Sequence, residues 1–272
     1  MDETRGPKEP TRQILETLST GQVEIVASIE GSTNGAFLVR CHAPITESDP
    51  DESGVGEREP REVVAIYKPM AVERPLWDFP PGLGKREAAA YWLSRLMGFA
   101  RIPETVWRDD APFGPGSLQR FIPFKTGAHY LTLVKRPEYK EELVDLVAFD
   151  LVANNADRKS GHVLLGLDGG VWGIDHGLCF HQVCKLRTVA WEFSGERLPG
   201  HVLDGCKRVV GTYASCDSGL PESKLLEAAR AVRDLLHPRE VEALIGRAAS
   251  LVRKGCFPEF DEGPFDIPWP PV

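Results

Sequence analysis

The chain has 272 residues, 42% hydrophobic and 26% charged, which suffices for one large domain or two fused lobes with cores of their own. Its formal net charge of -8 argues against non-specific nucleic-acid binding, where Lys and Arg must neutralise phosphates, and against docking on an anionic membrane. The first ten residues carry no apolar core, no run approaches the roughly 18 to 20 apolar residues that span a bilayer, and the six cysteines form no regular framework. The expectation is a reduced, cytoplasmic protein with no nucleic-acid partner and no stable membrane insertion.

Residues 23–29 alternate apolar and polar side chains and are read as a half-buried strand. A turn-rich loop at 30–35 leads to a second strand at 36–41. The segment 43–60 is rich in Asp, Glu, Ser, Gly and Pro and is read as an acidic surface loop. A third strand at 63–68 is closed by Pro69, so the first 70 residues form an antiparallel meander. After a loop holding Trp77, residues 85–97 are read as a helix with Ala88, Tyr91, Trp92 and Leu96 on a broad apolar stripe. Short strands follow at 106–107 and 117–122. Past Pro123 the pattern turns helical: a helix at 139–154 with Leu143, Leu146, Val147 and Leu151 on one face, a short hairpin at 163–174, and amphipathic helices at 221–236 and 239–254. The Pro-rich tail from Phe257 is read as coil.

The hairpin carries the most chemistry. Asp168-Gly169 between apolar runs is a strong signal for a two-residue turn. Counting back from it, Leu167 faces Gly170 and His162 faces Asp175, with Asp157 just before the first strand. Directly paired Cα atoms lie only ~4.5 to 5.5 Å apart, so a metal ion can bridge His162 and Asp175. A turn at Gly169-Gly170 instead places Asp175 opposite Leu164 on a similar face.

Phosphoryl transfer needs a carboxylate at the acceptor hydroxyl, a divalent metal held on the phosphates, and a Lys on the α/β-phosphates positioned by a Glu. The chain offers residues of all these types in a workable order, with Asp157, His162 and Asp175 around the hairpin. Asn155-Ala156-Asp157-Arg158, the metal position five residues after Asp157, and Ile174-Asp175-His176-Gly177-Leu178 resemble the phosphatidylinositol 3-/4-kinase group, especially the type II phosphatidylinositol 4-kinases and related atypical kinases. The chain also resembles uncharacterised kinase-like proteins of actinobacteria. The resemblance covers residues 23 to 180 as an ordered set of short motifs.

It implies an α+β, two-lobed protein-kinase-like fold: an N-lobe over 1–122 with an antiparallel sheet plus helix, a hinge at 118–123, and a mostly helical C-lobe over 123–272, with ATP between the lobes. It further implies Asp157 and Lys68 as catalytic residues, and Ser32, Thr33, Asn34, Gly35, Lys68, Glu87, Gln119, Arg120, Phe121 and Ile122 as nucleotide-binding ones. His162 and Asp175 become ligands of Mg²⁺, with Mn²⁺ possible because His162 stands where the family has Asn. The implied activity is transfer of the γ-phosphoryl group of ATP to a hydroxyl of an unidentified acceptor. No basic or amphipathic membrane segment stands out, which favours a protein or small molecule over a lipid. Two rival readings follow from particular residues. His162 in the Asn position suits a pseudokinase that binds nucleotide or acts as a scaffold without turnover. His176, Cys179, His181 and Cys184 are zinc-ligand types at short spacing.

Overall fold

The structure, a computed structural model, describes residues 10–29, 35–43, 62–215, 224–259 and 267–271. Ser32, Thr33 and Asn34, nearly all of the acidic 43–60 segment and the first three residues of the expected helix at 221–236 lie outside the described residues. The chain divides into two compact units. Of the described residues, those within 10–88 and 104–121 form a sheet unit, and those within 89–103 and from 122 onward form a helical unit. Among the described residues, no helix is long and apolar enough to cross a membrane.

The sheet unit holds five antiparallel strands, β1 (Gln22–Ile29), β2 (Ala36–His42), β3 (Glu62–Pro69), β4 (Thr105–Arg108) and β5 (Gly116–Arg120), in the spatial order β1-β2-β3-β5-β4. The expected meander of the first three strands is present. The half-buried pattern of β1 holds only at its start, because the register to β2 shifts between Ile25 and Ala27, and beyond this bulge Val26 and Ile29 are exposed. Helix α1 (Pro10–Thr20) has no counterpart in the sequence reading. It buries Leu18 completely against Val39, Cys41, Val63, Ala65, Tyr67, Val106 and Leu118 on one face of the sheet, with Ile14 and Leu15 packed beside it. Three apolar residues in eleven are too few to set a helical period, so the sheet face decides what the local pattern leaves open. The buried Arg108 ties the end of α1 to the sheet by donating to the carbonyls of Leu18 and Gly21, the orphan acceptors of a helix C-terminus.

Helix α2 (Leu83–Met97) begins in the sheet unit. Side chains alternate along β3, so Tyr67 lies in the α1-side core while Lys68 belongs to the opposite face, where Gly84 of α2 rests against Trp107 and Ser117.

In the helical unit, α3 (Tyr130–Leu133) is one turn, and α4 (Lys140–Ala153) is buried almost all round, from Leu143 and Val144 to Val152 and Ala153. A helix apolar on every side is a central one. Strands β6 (Val163–Leu165) and β7 (Val171–Gly173) form the hairpin. Helices α5 (Gly200–Ser215), α6 (Lys224–Leu235) and α7 (Pro238–Lys254) complete the unit. Helix α5 was legible only as part of a helical remainder. Its buried Val202, Cys206, Val209 and Tyr213 do follow a helical period, but three glycines interrupt the local propensity. Helix α7 has Pro238 at its first position, a capping box of His237 and Glu240, and a left-handed Gly255 at its end, all readable from the chain.

Candidate active site

In the sheet unit, Lys68 Nζ donates to Glu87 Oε1 at 2.5 Å, with Glu87 nearly buried and the Lys68 side chain 28% exposed. Glu87 is placed by the start of α2, whose N-terminus is fixed by a residue the sequence reading passed over. Glu73 accepts from the backbone N–H groups of Gly82 and Gly84, at 3.0 and 3.1 Å. A carboxylate at a helix N-terminus satisfies orphan donors and faces the positive end of the dipole. Lys68 is fixed from the other side by β5, where Gly116 meets the backbone of Lys68 and Pro69 and the Tyr67 ring so closely that a Cβ has no room. Gly35 adopts positive φ and lies against Val72.

The expected hinge residues serve internal bonds. The Gln119 amide donates to Thr105 Oγ1 at 2.9 Å, the Arg120 guanidinium donates to Glu104 at 2.5 Å, and the Phe121 N–H donates to the Val64 carbonyl. Ile122 is buried.

In the helical unit, the loop after α4 is built around a buried charge pair. Asn154 ends the helix in a left-handed conformation. Its amide donates to the carbonyls of His181 and Val183, and its oxygen accepts from Lys185 N–H. Asn155 donates to Asp150 Oδ1 and accepts from Asp157 N–H, which folds the loop back onto α4. Arg158 is fully buried, its guanidinium donating to both oxygens of Asp150 at 2.7 and 2.9 Å. The same group donates to the carbonyls of His162 and Ile174 and to His176 Nε2. Burial works against the Arg158 charge, and the facing Asp150 carboxylate more than offsets it, leaving its pKa above the ordinary value. Arg158 therefore holds the backbone beside His162 and, through Ile174, beside Asp175. No role for Asp150, Asn155 or Arg158 was derived from the sequence. The one available signal was a pair of acidic residues, Asp145 and Asp150, inside the otherwise apolar 143–153 run.

The hairpin corrects the expected register. Its ladder pairs Val163 with Gly173 and Leu165 with Val171, and the turn has three residues, Leu167, Asp168 and Gly169. Gly169 N–H donates to Gly166 O, and Gly169 takes positive φ, the three-residue solution with glycine at the left-handed position. Opposite His162 is therefore Ile174, whose N–H donates to the His162 carbonyl. In a regular ladder a slip of one residue sends side chains to the other face. Here both residues lie outside the ladder: His162 ends a single 3-10 turn (Ser160–His162), and Asp175 has a left-handed backbone, φ 60°. These departures bring His162 Nε2 to 3.3 Å from Asp175 Oδ2.

Asp157 completes the group. Its carbonyl lies 2.9 Å from His162 Nδ1, and its carboxylate lies 3.2 Å from Lys159 Nζ, a residue the sequence reading left without a role. Burial raises the Asp157 pKa; Lys159 opposes this, while the negative charge of Asp175 adds to it. Ser160 anchors the loop from outside. Its hydroxyl accepts from Leu131 N–H and bonds His129 Nδ1, and its own N–H donates to the Pro271 carbonyl at 2.9 Å.

Among the described residues, no group of three or more His, Cys, Asp or Glu side chains is arranged to hold a metal ion by itself. The His/Cys quartet does not converge: His176 is buried on Arg158 and edge-on to Phe149, Cys179 is buried, and Cys184 is exposed. His162 with Asp175 could supply at most one nitrogen and one carboxylate ligand, so any cation there would take the rest from elsewhere.

Protein Rv2133c of Mycobacterium tuberculosis (strain ATCC 25618 / H37Rv) is 32% identical to this chain over 287 aligned positions, covering 93% of each. The chain belongs to the Rv2133c family. No family model matches it. Among solved structures, this Rv2133c relative is similar to the Helicobacter pylori proinflammatory kinase CtkA, at 12% identity over 86% of this chain and 98% of that one, with a TM-score of 0.43. It is also similar to hydra Fam20, solved with sugar, at 16% identity over 90% and 88% of the two chains, with a TM-score of 0.46.

Proposed function

We propose that this chain is an ATP-dependent phosphotransferase that moves the γ-phosphoryl group of ATP to a hydroxyl of a protein or small-molecule acceptor. The observation that carries the reading is the arrangement of Asp157, His162 and Asp175. Two residues thirteen positions apart in sequence meet at 3.3 Å, and the backbone of the third orients one of them. The Lys68–Glu87 pair supplies the second requirement, a cation held ready for phosphate oxygens. The motif resemblance to the phosphatidylinositol 3-/4-kinase group points the same way.

In this reading the acceptor oxygen forms a bond to the γ-phosphorus while the bond to the β–γ bridging oxygen breaks and ADP leaves. Asp157 orients the acceptor hydroxyl and takes its proton. A raised pKa suits a carboxylate for that task by increasing its basicity. Lys159, beside Asp157, keeps positive charge near the transferred group. Lys68, held by Glu87, neutralises charge on the α- and β-phosphates. His162 and Asp175 hold the divalent metal, which when bound supplies charge to the phosphate oxygens. Ser32, Thr33, Asn34 and Gly35 remain proposed nucleotide contacts, as do Gln119, Arg120, Phe121 and Ile122 through backbone and apolar contact.

The test is transfer from γ-labelled ATP, read beside nucleotide affinity. Asp157→Asn is expected to keep nucleotide affinity and to lose about 10²- to 10⁴-fold in transfer, the range for a missing general base. Wild-type transfer by that variant refutes the base assignment. A second reading, nucleotide binding without turnover, is favoured by His162 standing where Asn is usual. It predicts nucleotide affinity with no transfer, including autophosphorylation, in either Mg²⁺ or Mn²⁺.

A further inference from the structure

One strongly basic side chain beside Asp157 comes from outside its loop. The segments 157–159 and 187–189 run side by side, with Arg158 and Thr188 paired in a parallel bridge. Arg158 N–H donates to the Arg187 carbonyl at 3.0 Å, and Val189 N–H donates to the Arg158 carbonyl at 3.1 Å. Arg187 N–H donates to the Asn155 carbonyl at 3.0 Å, which ties the same segment to the start of the loop. In a parallel pairing the bridged residues share one face, and their neighbours along each segment share the other. Burial follows this alternation. Arg158 and Thr188 are buried, while Asp157, Lys159, Arg187 and Val189 are half-buried. Arg187 and Asp157 therefore stand together on the open face. The charges agree with the geometry: burial raises the Asp157 pKa, and Arg187 is among the cations that oppose this.

We propose that Arg187 is a catalytic residue whose guanidinium binds the γ-phosphoryl group as it passes to the acceptor. The proposal rests on the phosphotransferase reading. Asp157 must be ionised to take the acceptor's proton, and the phosphoryl group that arrives beside it is also negative. Lys159, 3.2 Å from the Asp157 carboxylate, answers one of these charges. Arg187 answers the other from the facing segment. A guanidinium suits the task, because its planar fork of donors matches two phosphoryl oxygens at once, where an ammonium is a point charge. In the transition state the charge spreads over three equatorial oxygens, and a donor already fixed by the fold meets it without reorganisation. The backbone bonds of residues 187 and 189 supply that fixation. Arg187 forms no covalent bond and keeps its protons; the acceptor's proton goes to Asp157. Arg158 is unsuited to the role, since its guanidinium is taken up by Asp150, two carbonyls and His176.

The experiment uses the full chain with MgCl₂ and has two readouts. The first is kcat and KM for γ-labelled ATP, taken for hydrolysis, with water as acceptor, and for transfer. The second is the affinity for ADP with and without aluminium fluoride, by calorimetry and ¹⁹F NMR, the fluoroaluminate standing in for the phosphoryl group in flight. The wild-type chain is expected to bind ADP more tightly when aluminium fluoride is present. Arg187→Gln is expected to lose about 10²- to 10³-fold in kcat for hydrolysis and transfer alike, the range for one missing donor to a developing charge. Its KM for ATP and its affinity for ADP alone stay unchanged, and the gain from aluminium fluoride disappears. Arg187→Lys is expected to recover part of the loss, because the charge returns without the fork. Thermal melts and circular dichroism show that each variant is folded. Wild-type kcat in Arg187→Gln overturns the proposal. A loss of transfer with hydrolysis and fluoroaluminate binding intact also overturns it and assigns Arg187 to the acceptor instead. A loss equally deep in Arg187→Lys that tracks a loss of folded protein makes Arg187 a structural residue. A wild-type chain that binds ADP, neither hydrolyses nor transfers, and gains nothing from aluminium fluoride removes the phosphotransferase reading itself and this proposal with it.

Discussion

Two ion pairs, one in each unit, look alike in sequence and differ in kind. Arg158 with Asp150 is closed on both sides, with side chains 1% and 3% exposed. Lys68 with Glu87 is closed only on the carboxylate side, with exposures of 28% and 3%. The guanidinium of Arg158 also donates to two carbonyls and a histidine, so its hydrogen-bonding capacity is filled by the fold. The Lys68 ammonium is a point charge that still reaches solvent, which leaves it able to meet a phosphate. Exposure of the cation thus separates a charge closed within the fold from one that reaches solvent.

The largest expected effect breaks the buried pair. Arg158→Met leaves the Asp150 carboxylate buried without its cation and is expected to cost about 3–5 kcal/mol in chemical denaturation. A loss below about 1 kcal/mol would mean that the Arg158 network is not what holds the loop. Next, Lys68→Met is expected to cost about 1–3 kcal/mol of stability, because Glu87 remains buried, and to weaken nucleotide binding by at least about tenfold. If nucleotide affinity is unchanged while stability collapses, Lys68 is a structural cation like Arg158 and the contrast fails. Removing residues 267–272 deletes the Pro271 carbonyl that accepts from Ser160 N–H. Its expected cost is about 0.5–1.5 kcal/mol, with transfer reduced more than nucleotide affinity because the affected loop carries Asp157 and His162.

The smallest effect compares the units through their thiols. Burial raises both Cys41, in the sheet unit, and Cys206, in the helical unit, from 9.0 to about 11. At pH 8 a disulfide reagent is expected to modify the exposed Cys184 readily, and Cys41 and Cys206 only as their own unit opens. Their relative rates, read by mass spectrometry, tell which unit opens first. The sign of the linkage is set by the same shift. As pH rises from about 9 towards 11, the unfolded chain releases these protons before the folded one, so stability falls over that window.

Much of the fold was written in local pattern. Alternation marked β1, short strand-forming runs bounded by turn residues marked β2 and β3, helical period marked α2, α4, α6 and α7, and Asp168-Gly169 marked the hairpin. Two apolar–polar periods and a few turn residues are enough for this, because each depends only on neighbours in the chain. What the tertiary structure alone decided depends on partners distant in sequence. Helix α1 exists because a sheet face covers Leu18, and Arg158 is a structural cation because Asp150 is buried beside it. The turn has three residues rather than two, so the ladder by itself would part His162 from Asp175. They meet because each lies just beyond a strand end, where a 3-10 turn and a left-handed residue, held by the carbonyl contacts of Arg158, re-aim their side chains.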